Sequence, residues 1–208
     1  MVASVAMILD LAQLPPRDAY RWMVNVITPR PIAWVSTISA AGKTNLAPFS
    51  FFQGVCARPP MVIFCGAHDR TGQKKDSVIN VHEVPEFVVN LVPYALREAM
   101  NRTSATLPHG ESEFEKFGIP RAASQKVRPP RVADAPVAFE CKLDRIVELG
   151  EGPLGSSVVF GTILCMHISE SVLGSDGAID PEKLDTIGRM GGDLYTRTTE
   201  LFSMKRPD

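Results

Sequence analysis

The sequence predicts a mainly β fold with helical insertions, an antiparallel barrel, on three observations. Short runs rich in β-branched and aromatic residues recur between proline and glycine breaks, at 32–39, 61–65 and 86–92. Two longer runs, 137–144 and 156–169, follow one another late in the chain. The resulting order is three strands, helix, strand, helix and two long strands, which is not the regular strand–helix alternation of a doubly wound sheet.

Each element has a local cause. After Pro15-Pro16, residues 17–27 read as a short helix with Ala19, Trp22, Met23 and Val26 on one face. Thr28-Pro29-Arg30-Pro31 ends it, because a residue before proline is pushed out of the helical region. Residues 32–39 then form a strand, 41–44 its turn, and 46–55 resume the extended pattern as one run. Arg58-Pro59-Pro60 is the next break, and the apolar run 61–65 after it is too short for a typical helix. The polar stretch 66–75 leads to Asp76 and Ser77, an N-cap pair for a helix carrying Val78, Ile79 and Val81. Strand 86–92 is apolar on both faces, 94–103 spaces Leu96, Ala99 and Met100 helically, and 112–117 makes a further helical turn.

Residues 120–136 are rich in proline and basic side chains without periodicity, a surface excursion. Beyond it, Val137, Phe139, Cys141 and Leu143 alternate with Ala138, Glu140, Lys142 and Asp144, a strand with one buried and one wet face. Residues 156–169 are apolar on both faces and suit a central strand of a closed sheet.

Composition narrows the function classes. A chain of 208 residues predicts one domain over 1–208, and 45% hydrophobic with 22% charged residues excludes a disordered chain. With 22 Lys+Arg against 23 Asp+Glu the net charge is -1, which argues against a nucleic-acid partner. No run reaches the roughly 18 apolar residues of a membrane helix, so no membrane partner is expected. The apolar start of the chain has no Lys or Arg before it and meets Asp10 and Pro15-Pro16, a poor signal peptide. Cys56, Cys65, Cys141 and Cys165 form no C-x-x-C pair and read as reduced, buried thiols of a cytoplasmic protein. His68, His82, His109 and His167 are far apart in sequence, and no metal site is expected.

No G-x-S-x-G, H-E-x-x-H, P-loop or G-x-G-x-x-G motif is present, so no side-chain catalytic set is expected. Two segments carry chemistry of another kind. Arg70-Thr71-Gly72-Gln73-Lys74-Lys75-Asp76-Ser77 runs from a strand end into a helix start, where free N–H groups, Arg70, Lys74, Lys75 and the hydroxyls of Thr71 and Ser77 suit a phosphate. It also reads as a solvated basic loop with an ordinary cap. Asp76 would compete with an anion unless its carboxylate turns back to cap the helix amides. In the second segment, Ser36-Thr37-Ile38-Ser39 and 45–52 mix small, polar and aromatic residues that can line a flat heterocycle. A plain hairpin with surface hydroxyls and core phenylalanines would look the same.

Thr28-Pro29-Arg30-Pro31-Ile32-Ala33-Trp34-Val35-Ser36-Thr37, Gly42, Asn45-Leu46-Ala47-Pro48-Phe49-Ser50-Phe51-Phe52 and Pro59-Pro60 closely resemble the flavin reductase-like family. So do Lys75-Asp76-Ser77 with Asn80, Glu86-Phe87-Val88-Val89-Asn90, and Arg189-Met190-Gly191-Gly192-Asp193-Leu194-Tyr195. Ser77 stands where that family usually has Thr, which keeps the hydroxyl. The resemblance covers about 20–206. It implies the FMN-binding split β-barrel, a Greek-key barrel, and the company of flavoredoxin and of nitrilotriacetate monooxygenase component B. It further implies FMN, with NADH or NADPH as co-substrate, hydride transfer to flavin N5 without a catalytic side chain, a homodimer, and an oxygenase component that receives reduced flavin. The alternative is a flavoredoxin-like FMN electron carrier that never meets nicotinamide. By carry-over, Ser36, Thr37, Asn45, Leu46, Ala47 and Ser50 would contact the ring and ribityl chain, and Arg70, Lys75 and Ser77 the phosphate. Arg189 and Tyr195 would close over the cofactor, or else anchor the C-terminus on the barrel. The choice between the two nucleotides stays open, with the basic residues of 121–131 as candidates for reading a 2′-phosphate.

Overall fold

The computed structural model describes residues 7–207. Helix α1 (Pro16–Val26) precedes the short β1 (Arg30–Pro31) and a hairpin of β2 (Ala33–Ile38) and β3 (Thr44–Phe49). A second hairpin follows, β4 (Phe52–Ala57) with β5 (Pro60–Ala67), then α2 (Asp76–Glu83) and β6 (Glu86–Asn90). Two short helices, α3 (Arg97–Arg102) and α4 (Glu113–Phe117), lead to a two-strand ladder of β7 (Arg121–Ala122) and β8 (Arg131–Val132). The long β9 (Val137–Leu149) and β10 (Ser156–Ile168) pair as a hairpin, and α5 (Pro181–Leu184), β11 (Ile187–Arg189) and β12 (Tyr195–Arg197) complete the described chain.

Seven strands form one sheet in the order β3-β2-β6-β9-β10-β5-β4, every neighbour antiparallel. The sheet curls on itself so that β3 packs against β5. Phe49 of β3 and Phe64 of β5 bring their ring centroids within 4.9 Å, around a core of Ala33, Val35, Phe87, Val89, Cys141 and Val159. Helix α2 plugs this core with Val78 and Val81. No ladder joins β3 to β4, so the barrel is split between its two edges, as expected of the mainly β, split-barrel class. Gly161 is required inside, because an added Cβ would overlap the Phe87 ring. Outside the sheet, Trp34, Leu46, Met100, Phe114, Val132 and Ile187 form a second core under α3, α4 and the 120–136 excursion.

Four expectations need correction. The extended run 46–55 is two strands at opposite edges of the sheet, because the chain leaves β3 at Ser50 and re-enters it as β4. The wet face of β9 is dry where it matters: Ala138 is 1% and Glu140 0% exposed. The excursion folds over them, and the Glu140 carboxylate accepts the amides of Gln125 at 2.7 Å, Lys126 at 2.5 Å and Val127 at 3.2 Å. Only Lys142 and Asp144, beyond that cover, stay exposed. The apolar face of α1 is largely outside, with Trp22 42% and Val26 72% exposed and only Val24 buried. Of the four cysteines, all free, Cys141 is buried but Cys56 is exposed.

Candidate functional site

The free edge of β3 is where the split barrel leaves chemistry accessible. Residues of β3 that bond β2 alternate with residues facing the split. Among the latter, the Leu46 amide donates to Glu113 Oε2 at 2.8 Å, and Pro48 has no N–H to offer. A cleft of about 540 Å³ runs along this edge over Asn45, Ala47 and Pro48. The start of α2 (Lys75, Asp76, Ser77) walls one side, and the 103–107 loop with His109 and Glu113 walls the other. A larger cleft of about 990 Å³, between α1, β1 and the β11–β12 turn, meets it, since Pro48 and Ser104 line both.

The start of α2 is anion-ready for a reason the sequence did not show. Lys75, not the Asp76–Ser77 pair, occupies the N-cap, and no side chain caps the helix. The Asp76 carboxylate turns away, accepting from His109 Nδ1 at 2.8 Å and the Gly110 amide at 3.3 Å. That hydrogen bond and the Asp76 charge raise the pKa of His109. The first amides of α2 are therefore uncapped beside the cleft, where the helix dipole is positive, and the Asp76 carboxylate does not turn back on them as expected but has its charge met by His109 in the same cleft. Ser77 Oγ accepts from Asn45 Nδ2 at 2.8 Å, which leaves its own proton to donate. Asn80 Nδ2 donates to Thr37 Oγ1 at 3.0 Å, so two side-chain bonds fix α2 against the early hairpin.

The basic loop divides its labour. Lys74 is taken by Glu148 at 2.6 Å, and Thr71 gives its hydroxyl proton to Asp69 Oδ1 at 2.7 Å. The Thr71 hydroxyl and the Gln73 and Thr71 amides hold the Asp69 carboxyl below its ordinary range. Lys75 has no ion pair among the described residues and lines the cleft. Arg70 is exposed on the adjoining turn, outside the cleft lining.

The remaining candidates fall in two groups. Asn45 and Ala47 line the smaller cleft, and Ser50, Arg189 and Tyr195 the larger one. Ser36, Thr37 and Leu46 are 0% exposed and stand one layer behind the wall, because α2, α4 and the outer core cover them. The Ser36 hydroxyl has no hydrogen-bond partner there. The basic residues of 121–131 lie on the excursion over the sheet's outer face and line neither cleft.

Sequence reasoning passed over several wall residues. Glu113, 6% exposed, has its pKa raised by burial, only partly offset by the Leu46 amide and its own, with the Asp76 charge raising it further. Arg30, 6% exposed, donates to the carbonyls of Val24 at 2.6 Å, Ile27 at 2.8 Å and Met190 at 2.9 Å. It thus ties the C-terminal end of α1 to the β11–β12 turn, and burial lowers its pKa. An arginine between two prolines gave no hint of burial. On the outer face, Glu140 meets His167 Nε2 at 2.5 Å, with Cys165 beside them, a cluster of possible metal-ligand types that the scattered histidines did not suggest.

A protein from Shewanella frigidimarina, assigned as a flavin reductase with split barrel domain, shares this fold at TM-score 0.81 and 21% identity, over 97% of this chain and 100% of that one. This chain belongs to the flavin reductase-like family: the flavin reductase like domain matches residues 25–181. It is 34% identical over 201 residues to an uncharacterized protein of Halalkalibacterium halodurans, covering 96% of each chain. Among solved structures it resembles nitrilotriacetate monooxygenase component B from Bacillus cereus, at TM-score 0.91 and 30% identity, covering 97% of this chain and 100% of that one. It also resembles the Pseudomonas fluorescens 2-nitrobenzoate 2-nitroreductase, at TM-score 0.86 and 30% identity over 97% and 96%. Flavoredoxin of Desulfovibrio vulgaris shares the fold at TM-score 0.73 and 20% identity, over 85% of this chain and 91% of that one.

Proposed function

We propose that this protein holds FMN along the free edge of β3 and acts as an NADH- or NADPH-dependent flavin reductase, handing reduced flavin to an oxygenase component or another acceptor. One observation carries the reading. Two adjoining clefts present open helix amides with Lys75, Asn45 and Ala47 in the smaller, Pro48 where the two meet, and Ser50 in the larger. FMN offers a phosphate, a polar chain and a flat ring to such a pair of clefts.

The Asp76 and Ser77 amides, the Ser77 hydroxyl and the Lys75 charge would hold the phosphate, with Arg70 adding longer-range attraction. Asn45, pinned by Ser77, would orient the ribityl chain. Thr37 and Leu46 act from behind, through Asn80 and Glu113, to keep that wall in place, and Ser36 shapes it. Arg189 and Tyr195 would flank the ring from the larger cleft. When bound, FMN supplies the hydride acceptor at its N5, so the chain needs no acid–base pair of its own. Its residues bind, orient and leave one ring face open.

The same proposal includes a homodimer in the cytoplasm. The chain exposes 12936 Å², against roughly 9,500 Å² expected of a monomer this size. Leu164, Met166 and Ile168 lie exposed on the half of β10 that extends past β5, besides Trp22 and Val26 of α1. No helix among the described residues is long and apolar enough to cross a membrane.

Purified protein should show flavin bands in the visible spectrum, and anaerobic NADH or NADPH should bleach them. Bleaching by dithionite but by neither nucleotide would favour an FMN electron carrier and end the reductase reading. Replacing Lys75 and Arg70 with Ala should weaken FMN binding roughly tenfold or more while leaving riboflavin nearly unchanged. Equal losses for both ligands would move the phosphate elsewhere.

A further inference from the structure

The larger cleft is built for a second anion. Arg17 and Arg21 stand one turn apart on α1, on one helix face, and both line it. Both are exposed and neither has an ion pair among the described residues. Arg189 faces them from the other wall, its guanidinium 4.5 Å from the Tyr195 ring centroid and its Nη2 donating to Gly192 O at 2.5 Å. Arg30 contributes field only, since its donors are spent on carbonyls and on Ser50 Oγ at 3.4 Å. Against these four cations the lining offers two carboxylates, Asp18 and Asp193.

The walls are also held to each other. Arg30 bonds both α1 and Met190, and Gly191 lies so close to Asn25 that an added Cβ would overlap its side chain. Two aromatic rings, Tyr20 at 47% and Tyr195 at 37% exposure, border the cleft. Guanidinium groups beside accessible aromatic rings recognise a flat group that carries a phosphate or carboxylate.

We propose that Arg17, Arg21 and Arg189 form the subsite for the reaction partner of the flavin, an aromatic molecule bearing a phosphate or carboxylate. Its place rests on the reading above, because the cleft meets the β3 groove at Pro48 and Ser104. Two sources share this chemistry: the phosphorylated adenosine end of a nicotinamide dinucleotide, and an aromatic carboxylate acceptor.

The test is calorimetric titration of flavin-free and FMN-loaded protein with adenosine 2′,5′-bisphosphate, adenosine 5′-monophosphate and benzoate. The comparison is between wild type and the Arg17→Gln, Arg21→Gln double variant. At least one probe should bind wild type, weaken tenfold or more in the variant, and weaken as salt is raised. FMN affinity should stay within about twofold in the variant. Tightest binding of the bisphosphate would name NADPH as the source, tightest binding of the monophosphate NADH, and tightest binding of benzoate a carboxylate acceptor. No binding by any probe, unchanged binding in the variant, or a parallel loss of FMN would overturn the proposal. Flavin-free protein that binds a probe but never takes up FMN would instead defeat the flavin reading and leave the anion subsite standing.

Discussion

Glu140 on the outer face and Glu113 beside the cleft are buried to nearly the same degree, 0% and 6% exposed, yet they are held in opposite ways. Burial pushes both carboxyls up. At Glu140 the amides of Gln125 and Lys126, with His167, more than offset that and hold its pKa below the ordinary range. At Glu113 the Leu46 amide and its own offset burial only in part, and the Asp76 charge adds to the rise. The number of donors aimed at the oxygens, rather than depth, decides the sign. One region spends its carboxylate on fixing a loop. The other keeps an under-compensated acid in the wall of a cavity.

Glu140→Ala tests the first region hardest. Three loop amides and His167 would lose their acceptor inside a dry layer, which costs about 3–5 kcal/mol. For a domain this size that lowers the melting temperature by roughly 10 °C. A loss below about 1 kcal/mol in urea titration would mean the excursion is held by something else.

The pH response should separate the two acids next. Glu140 has a depressed folded pKa, so its contribution is present above its unfolded value of 4.5 and is lost as pH falls through the folded one. Glu140→Gln should therefore flatten the acid limb of stability below about pH 4.5 and leave the slope between there and neutral pH unchanged. Glu113 has the opposite sign. Its raised pKa means that wild-type stability declines as pH climbs through the folded value. An acid limb that is unchanged in Glu140→Gln would mean that the Glu140 charge does not hold the 120–136 excursion.

The smallest effect belongs to Glu113→Gln. The amide oxygen can still accept from Leu46, so stability near pH 5 should match wild type. At pH 8 the variant should be more stable, by up to about 1 kcal/mol. A variant that is less stable at every pH would show that the Glu113 charge is fully compensated after all.

Much of this was legible before folding. The strand runs, a first helix read at 17–27 and found at 16–26, and the helix that starts at Asp76 follow from side-chain periodicity and proline breaks. The split barrel came instead from the resemblance of the 28–37, 45–52 and 189–195 motifs to a known family. The wet face of β9 was misread because alternation reports what a strand offers, not what a distant loop lays over it. The Asp76–Ser77 cap was misread for a related reason: His109 and Gly110, over thirty residues on, compete for the same carboxylate. Strands β11 and β12, three residues each, are too short for any period to register.

Local sequence thus determined most of the extended and helical segments and that Lys75 and Ser77 would sit at a helix start. Those properties depend on neighbours within a few residues. Tertiary structure alone decided that Ser36, Thr37 and Leu46 stand behind the wall, that Lys74 is spent on Glu148, and that Arg17 and Arg21 come to face Arg189. The reason is physical: burial and charge pairing are set by whatever the fold brings within a few ångströms, and here those partners lie tens to more than a hundred residues away.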